Sequence, residues 1–326
     1  SDTDVLSLIK ELGLSERLKF MPSRTGLYYA NSIFRLASPL DLLSFRPLPF
    51  IDRIRTGLMA LKARRIENWH DLESQSAEEW IIKNAGRRSF DVIWKPLLKG
   101  KFGPEASNVS AVWFWNKLKL RGSSRDAKGS ESLVYFEGSF GALSKALRDR
   151  LEQLGVQIRL GHAVTEICAN GEHVQRLQTT HGEFEADTVL ATLPLPTFLQ
   201  ITPNLPASYI EQTSRIRFLG NVCIVLRLKQ ALSSTYWLNV ADPSFPFVGI
   251  IEHTNFDDPS NYGNERIAYL SKYLPVTDAM FQMSDTELLE YCIPFIQRMF
   301  PAFSRDWIIG HRVWKRQPAG GLIGFG

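Results

Sequence analysis

The stretch GVQIRLGHAVTEICANGEHVQRLQTTHGEFEADTVLATLP, residues 155–194, carries the reading of the fold. Val156, Ile158 and Leu160 alternate with polar residues at the two-residue period of a half-buried strand. Asn170-Gly171 is a hairpin turn pair, since both residues tolerate positive φ. After the polar HGE turn comes the run Thr188 to Leu193, largely apolar on both faces. Such a run predicts a strand covered on both sides, as in a parallel sheet. Ligands of open parallel sheets sit at the carboxyl ends of strands, so a bound group is expected where the run closes at Thr192, Leu193 and Pro194.

Upstream, GALSKALRDRLEQLG places Leu143, Leu147, Leu151 and Leu154 on one helical face, with Gly155 as the stop. SDTDVLSLIKELGL opens the chain as a helix ended by Gly13. RTGLYYANSIFRLAS predicts two short strands around Asn31-Ser32. The segment from Ser38 to Asn68 reads as two helical pieces separated by Pro47 and Pro49. In SAEEWIIKNAG, Ser76 and Glu79 have capping-box spacing and Gly86 is the stop. A further helix is expected from Ser89 towards Leu98, and the small polar run from Arg121 to Ser132 reads as a linker.

Downstream, NVCIVLRL, TYWLNV, FPFVGIIEH and RIAYLSKYL alternate and predict an antiparallel sheet. SDTELLEYCIPFIQRMFP reads as a capped helix kinked at Pro294. WIIGHRVWK is a last strand before a glycine-rich tail, which reads as a frayed or artificial end because no helix follows its glycines to bind phosphate. The fold class expected is α+β or α/β. The divisions are a mainly helical 1–130, a 131–200 lobe, a sheet-and-helix 201–316 and the tail 317–326.

The chain has 326 residues, 44% hydrophobic, with a formal net charge of +4. That excess is too small to argue for nucleic acid. Three scattered cysteines, Cys168, Cys223 and Cys292, form neither a disulfide framework nor a zinc motif. No apolar run approaches the ~20 residues of a membrane span, and the acidic start is unlike a signal peptide. A cytoplasmic protein without an integral membrane segment is expected.

No nucleophile elbow, Walker loop, H-E-x-x-H or dense acid cluster is present, so neither a catalytic residue nor a metal ligand is assigned. The six histidines form no tight sequence cluster and read as ordinary core or surface residues. The basic run RIRTGLMALKARR, residues 53–65, suits either a solvated face or an anionic surface. In WKPLLKGKFGPEASNVSAVWFWNKLKLR, tryptophans stand among cations. Two readings stay open there: a flat or phosphorylated ligand stacked near Trp94 and Lys101, or a helical core edge with snorkelling lysines.

Three stretches together resemble the FAD-dependent amine-oxidase superfamily, which includes protoporphyrinogen oxidases, phytoene desaturase-like enzymes and monoamine oxidases, with UDP-galactopyranose mutase as a more distant relative. They are YFEGSFGALSKALRDRLEQLG with its continuation to Pro194, SAEEWIIKNAGRRSFDVIWKPLLKGKFGPEASNVSA, and YWLNVADPSFPFVGIIEHTNF. The resemblance implies part of an FAD-binding lobe, a substrate domain with a mixed or antiparallel sheet, and a helical subdomain. It implies that Val164, Thr192, Leu193 and Pro194 approach the dinucleotide. Trp237 and Tyr269 are expected to line a pocket for a small-molecule substrate. The superfamily's G-x-G-x-x-G turn and C-terminal flavin segment have no counterpart in this sequence. The chain is therefore expected to be a fragment with severely lowered FAD affinity. The function implied is flavin-dependent oxidation. UDP-sugar isomerisation and a non-catalytic binding role are the alternatives, and the oligomeric state is left open.

Overall fold

The structure is a computed structural model that describes residues 3–123, 132–171 and 173–321. The strands are β1 (Leu18–Pro22), β2 (Thr25–Tyr29), β3 (Ser32–Arg35), β4 (Ser132–Phe136), β5 (Val164–Asn170), β6 (His173–Thr179), β7 (Gly182–Glu185), β8 (Phe218–Leu228), β9 (Trp237–Val240), β10 (Gly249–Glu252), β11 (Arg266–Leu274) and β12 (Ile308–Gly321). The helices are α1 (Thr3–Glu11), α2 (Pro39–Ser44), α3 (Phe50–Arg65), α4 (Ala77–Ala85), α5 (Arg87–Ser89), α6 (Lys95–Phe102), α7 (Ala111–Ser123), α8 (Ser139–Gln153), α9 (Leu195–Gln200), α10 (Ala207–Ser214), α11 (Ala279–Gln282) and α12 (Asp285–Met299). The chain divides into two compact units. One comprises residues 1–7, 15–137 and 218–326, the other residues 8–14 and 138–217.

The first unit is built on a seven-stranded mixed sheet in the order β12-β8-β11-β10-β9-β2-β3. Every neighbouring pair is antiparallel except β2–β9, which run parallel. Ala30 and Asn31 both take positive φ, which lets β2 fold straight back into β3; the turn lies one residue before the Asn31-Ser32 pair anticipated. On one face of the sheet, Leu226, Leu228, Leu238, Ile250 and Leu270 are buried with Leu288, Leu289, Cys292 and Ile296 of α12. Those α12 residues recur at helical spacing, so a single stripe meets the sheet. Ser284 and Glu287 form a capping box at its start, and the helix continues through Pro294.

A second core lies among the helices. Met59 and Ala63 of α3, Trp80 and Ile81 of α4, Phe102 of α6, and Phe114 and Trp115 of α7 are buried together. Ser76 and Glu79 make the expected capping box, and Gly86 follows α4 at φ 91°. Between α5 and α6 the backbone widens into a π-helical turn over Phe90–Trp94. α7 extends to Ser123, and most of the anticipated linker lies outside the described residues. The ladder of β12 with β8 continues through a register shift to Gly320 and Gly321, within the glycine-rich tail.

In the second unit, β5, β6 and β7 form an antiparallel sheet. Gly171 has φ +62°, as a tight β5–β6 connection needs. Two expectations fail here. Residues 156–160 follow α8 as a loop, and residues 188–193 belong to no strand. Leu160 and Leu190 are 79% and 88% exposed. An apolar run is a buried parallel strand only when strands flank it on both sides. Among the described residues this unit supplies just the β5–β6–β7 sheet, so the run is extended without a ladder.

Candidate functional site

The face of the seven-stranded sheet opposite α12 gathers the aromatic residues. Residues directly paired across strands project to the same side. Trp237 pairs with Ile251, and Ile251 pairs with Tyr269. Tyr269 pairs in turn with Val225, and Val225 with Arg312. Trp237 and Tyr269, singled out from the sequence, thus share one row on one face. The adjoining residues Leu238, Ile250, Leu270 and Ile224 point to the α12 side and are buried.

Further rings assemble beside this row. Tyr236 stacks on Phe256 with centroids 4.5 Å apart. Tyr135 of β4 sets its ring edge-on to Phe256 and to His253, at 5.6 and 5.2 Å. His253 lies edge-on to Tyr262 and, at 6.1 Å, to Tyr269. Burial raises the pKa of the Tyr236 and Tyr269 phenols, so they remain neutral donors at physiological pH.

Three side chains form a polar chain within this group. The Tyr262 hydroxyl donates to Asp257 Oδ2 at 2.9 Å. His253 Nε2 lies 2.6 Å from the same hydroxyl oxygen. Because the phenolic proton is committed to the carboxylate, the oxygen accepts from Nε2–H, and Nδ1 becomes the acceptor nitrogen. Burial holds the imidazole pKa below its ordinary value, against the opposing pull of Asp257. His253 is therefore neutral near pH 7 and able to take up a proton at Nδ1. The positive charge so formed would be offset by Asp257 through Tyr262.

The backbone explains why these groups stay in place. β10 ends at Glu252, whose carboxylate accepts from Leu232 N–H at 2.8 Å and Ser233 Oγ at 2.5 Å. In the turn after it, Thr254 Oγ1 accepts from Ile267 N–H, and Asn255 donates to the Ser233 and Thr235 carbonyls. Tyr262 closes a one-turn helix capped by Asp258 and stopped by Gly263 at φ 66°. None of this was read from the sequence, where His253 counted as an ordinary histidine. The available signal was H-T-N-F-D-D-P-S-N-Y directly after a strand, which sets an imidazole, a carboxylate and a phenol within ten residues.

Of the other sequence-derived residues, Trp94 and Lys101 belong to the helical layer of the first unit, and Val164, Thr192, Leu193 and Pro194 to the second unit. Trp94 ends the π-helical turn, and its ring meets Phe114 edge-on at 4.9 Å. Its Nε1 is the one buried side-chain nitrogen or oxygen without a hydrogen-bond partner among the described residues. Lys101 Nζ stands 5.4 Å from the Trp113 ring, and Lys119 Nζ stands 4.7 Å from the Trp115 ring. Trp115 is buried and donates to the Ala63 carbonyl at 2.8 Å. These contacts are those of a helical core edge with lysine stems laid over it. A hollow of about 420 Å³, lined by Glu78, Lys95, Lys99 and Ser107 among others, belongs to the same helical layer. Val164 opens β5, paired with Thr179. Thr192, Leu193 and Pro194 are exposed in the extended run before α9. Among the described residues no group of three or more His, Cys, Asp or Glu is placed to hold a metal ion. Burial pushes the Cys292 thiol up to about 12, which removes it as a nucleophile.

One unit thus carries a mixed sheet with an aromatic, partly polar face, and the other holds an extended run outside every described ladder. The Flavin containing amine oxidoreductase family matches residues 1–321, and the chain belongs to it. Amine oxidase [flavin-containing] B of Canis lupus familiaris is 26% identical over 239 residues, which are 68% of this chain and 45% of that protein. The chain thus spans about half the length of the curated relatives it matches. A protoporphyrinogen-oxidase candidate from Exiguobacterium sp. 255-15 superposes with a TM-score of 0.73 at 17% identity, over 99% of this chain and 74% of that one. Reduced UDP-galactopyranose mutase gives 0.68 at 12% identity, over 98% and 70%. Likeness at this level establishes the fold, and the family rests on the match over residues 1–321.

The family implies a flavin. The run 188–194 suits one end of such a group: its backbone lies outside every described ladder, and the apolar Leu190 and Leu193 stand exposed for a flat ring to cover. The sequence has no G-x-G-x-x-G turn to present amides to a pyrophosphate.

Proposed function

We propose that the chain is the substrate-binding part of an FAD-dependent oxidoreductase of the amine-oxidase type, acting on a small organic molecule that carries an amine or similarly activated C–H bond. The observation that carries this reading is the Trp237–Ile251–Tyr269 row, flanked by the Asp257–Tyr262–His253 chain. When bound, flavin supplies the two-electron acceptor. The protein's own residues do the rest. Trp237 and Tyr269 offer an apolar aromatic wall that orients the substrate and displaces water, where polar contacts gain strength. His253 Nδ1 accepts a proton from the substrate's ammonium N–H, leaving the neutral amine whose free lone pair hydride loss requires. The extended run at Thr192, Leu193 and Pro194, with Val164, holds the adenosine end of the cofactor by main-chain and apolar contact. Three cysteines without disulfides fit a reducing, cytoplasmic setting.

The test is to purify the full chain with added FAD and titrate benzylamine anaerobically while following flavin absorbance. Bleaching that requires Trp237 and Tyr269 supports the reading. A flavin-loaded protein whose benzylamine affinity is the same in W237A and Y269A as in the parent would overturn the assignment of the face. The mutase-like fold match carries a second reading, a nucleotide-sugar isomerase. Saturable binding of uridine diphosphate, with no bleaching by any amine, would favour it.

A further inference from the structure

The aromatic face of the seven-stranded sheet continues onto its edge strand. Arg312, Trp314 and Arg316 alternate along β12, and their cross-strand partners are Val225, Cys223 and Asn221. Residues two apart on a strand share a face. The intervening Val313 packs against the α12 core, and Lys315 donates to the Met283 carbonyl. Arg312, Trp314 and Arg316 therefore project to the side that carries Tyr269. Arg312 stands in the same row as Tyr269, two strands away. Neighbouring strands are about 4.8 Å apart, so the two backbone positions are separated by roughly 10 Å. One aromatic ring and an extended arginine side chain span that distance.

The two guanidinium groups gather at one ring. They lie 5.5 and 5.3 Å from the centroid of the Trp314 indole, which is 43% exposed. Neither makes a hydrogen bond or an ion pair among the described residues. Elsewhere in this unit arginines are neutralised. Arg227 forks onto Glu265, with both bonds at 2.5 Å, and Arg298 holds Asp242 at 3.0 Å. Contact with an indole steadies a guanidinium while leaving its N–H donors free. Arginine recognises carboxylate and phosphate through paired hydrogen bonds, so two such groups beside an open ring match an oxyanion carried on an aromatic body. Charge on an edge strand also discourages pairing with other chains, but that needs neither a shared face nor a shared ring.

His253 marks the other end of the arrangement. It follows Glu252, which pairs with Ala268, whereas Trp314 and Arg316 are level with Ser271 and Tyr273. Tyr269 thus lies between a proton acceptor and a pair of unneutralised cations. We propose that Arg312 and Arg316 bind an anionic group, a carboxylate or a phosphate, at the end of the substrate remote from its amine, and so set the preference among amines. This rests on the reading of the sheet face as the substrate site.

The experiment is equilibrium dialysis of the full chain against benzylamine, 4-(aminomethyl)benzoate and 4-(aminomethyl)phenyl phosphate. A parallel anaerobic sample with added FAD reports bleaching of the flavin by each. One of the two anionic ligands should bind about tenfold tighter than benzylamine, and which one does so tells carboxylate from phosphate. That comparison needs no variant. R312Q/R316Q should remove most of the preference, and R312K/R316K, which keeps the charges but not the planar forks, should retain only part of it. These side chains are exposed, so the melting temperatures should match the parent's. Equal affinity for all three ligands, binding of none, or a preference that survives R312Q/R316Q overturns the inference. Bleaching by benzylamine without any anion preference would sink the anion site and spare the oxidase reading. An anion preference lost in R312Q/R316Q, with no bleaching by any of the three, would do the reverse.

Discussion

His253 Nε2 and the Tyr262 hydroxyl lie 2.6 Å apart, with Asp257 Oδ2 2.9 Å beyond the phenolic oxygen. The arrangement fixes the tautomer of the imidazole. It leaves Nδ1 as the ring nitrogen with a free lone pair. A neutral, partly buried histidine carries a cost that appears only in acid. The unfolded chain takes up its proton near the ordinary pKa of about 6.5, the folded chain only lower. As pH falls through that window, unfolding gains a proton and stability declines. Urea unfolding at pH 7.5 and 5.5 should show this decline, and H253Q should show a shallower one. An unchanged pH dependence in H253Q would mean that the histidine titrates alike in both states.

Trp237 is 40% exposed and Tyr269 half-buried, so their truncation should spare the fold more than it spares binding. Loss of one aromatic contact costs about 0.5–1.5 kcal/mol beyond its buried area. In flavin-loaded protein, W237A should raise the KM for an aryl-alkyl amine by about threefold to tenfold. Steady-state kinetics beside a thermal melt separates this from simple unfolding.

Gly220 of β8 has no space for a side chain. A Cβ there would come within 2.6 Å of the Phe281 ring and 3.1 Å of Val276. G220A should destabilise the protein by about 1–3 kcal/mol, the usual range for overpacking. F281L should recover part of that loss, because it removes the obstructing ring. Denaturant midpoints of the two single variants and the double variant decide the matter.

Ser76 supplies both halves of its cap: its Oγ accepts from Glu79 N–H at 3.2 Å, and its own N–H donates to Glu79 Oε2 at 2.9 Å. S76A should cost about 1 kcal/mol, as for other helix N-caps. W94F is expected to behave oppositely. It deletes an indole N–H that is buried without a partner, and removing such a group restores about 1–3 kcal/mol of desolvation against the packing lost. A net change near zero or a gain in the melting midpoint is expected. A large loss would show that Nε1 has a partner in solution.

The legible parts of the sequence were those where a local rule sufficed. Capping pairs, proline breaks and the Asn170-Gly171 turn located α4, the α2–α3 division and the β5–β6 hairpin. Two-residue alternation located β8, β10 and β11. Residues 156–160, which alternate, and 188–193, apolar on both faces, form no strand because such patterns report what a strand could bury, whereas a strand exists only if neighbours pair with it. The candidate site was half legible. Trp237 and Tyr269 stood out as aromatics, but their shared row depends on β10 lying between β9 and β11, a register no local pattern encodes. His253, Asp257 and Tyr262 were adjacent in sequence and passed over, since only the turn that holds them brings their polar atoms together.

The parallel pairing of β2 with β9 has a consequence for biosynthesis. Asn239 Nδ2 reaches the Gly26 carbonyl across 213 positions of chain. β2 and β3 leave the ribosome well before the strand that completes their side of the sheet, which arrives only after residues 138–217, most of the second unit, have been translated. At about 5–20 residues per second, the hairpin waits many seconds with an unpaired edge. The nascent protein thus depends during that interval on whatever shields this edge, a demand that disappears once Val240 emerges.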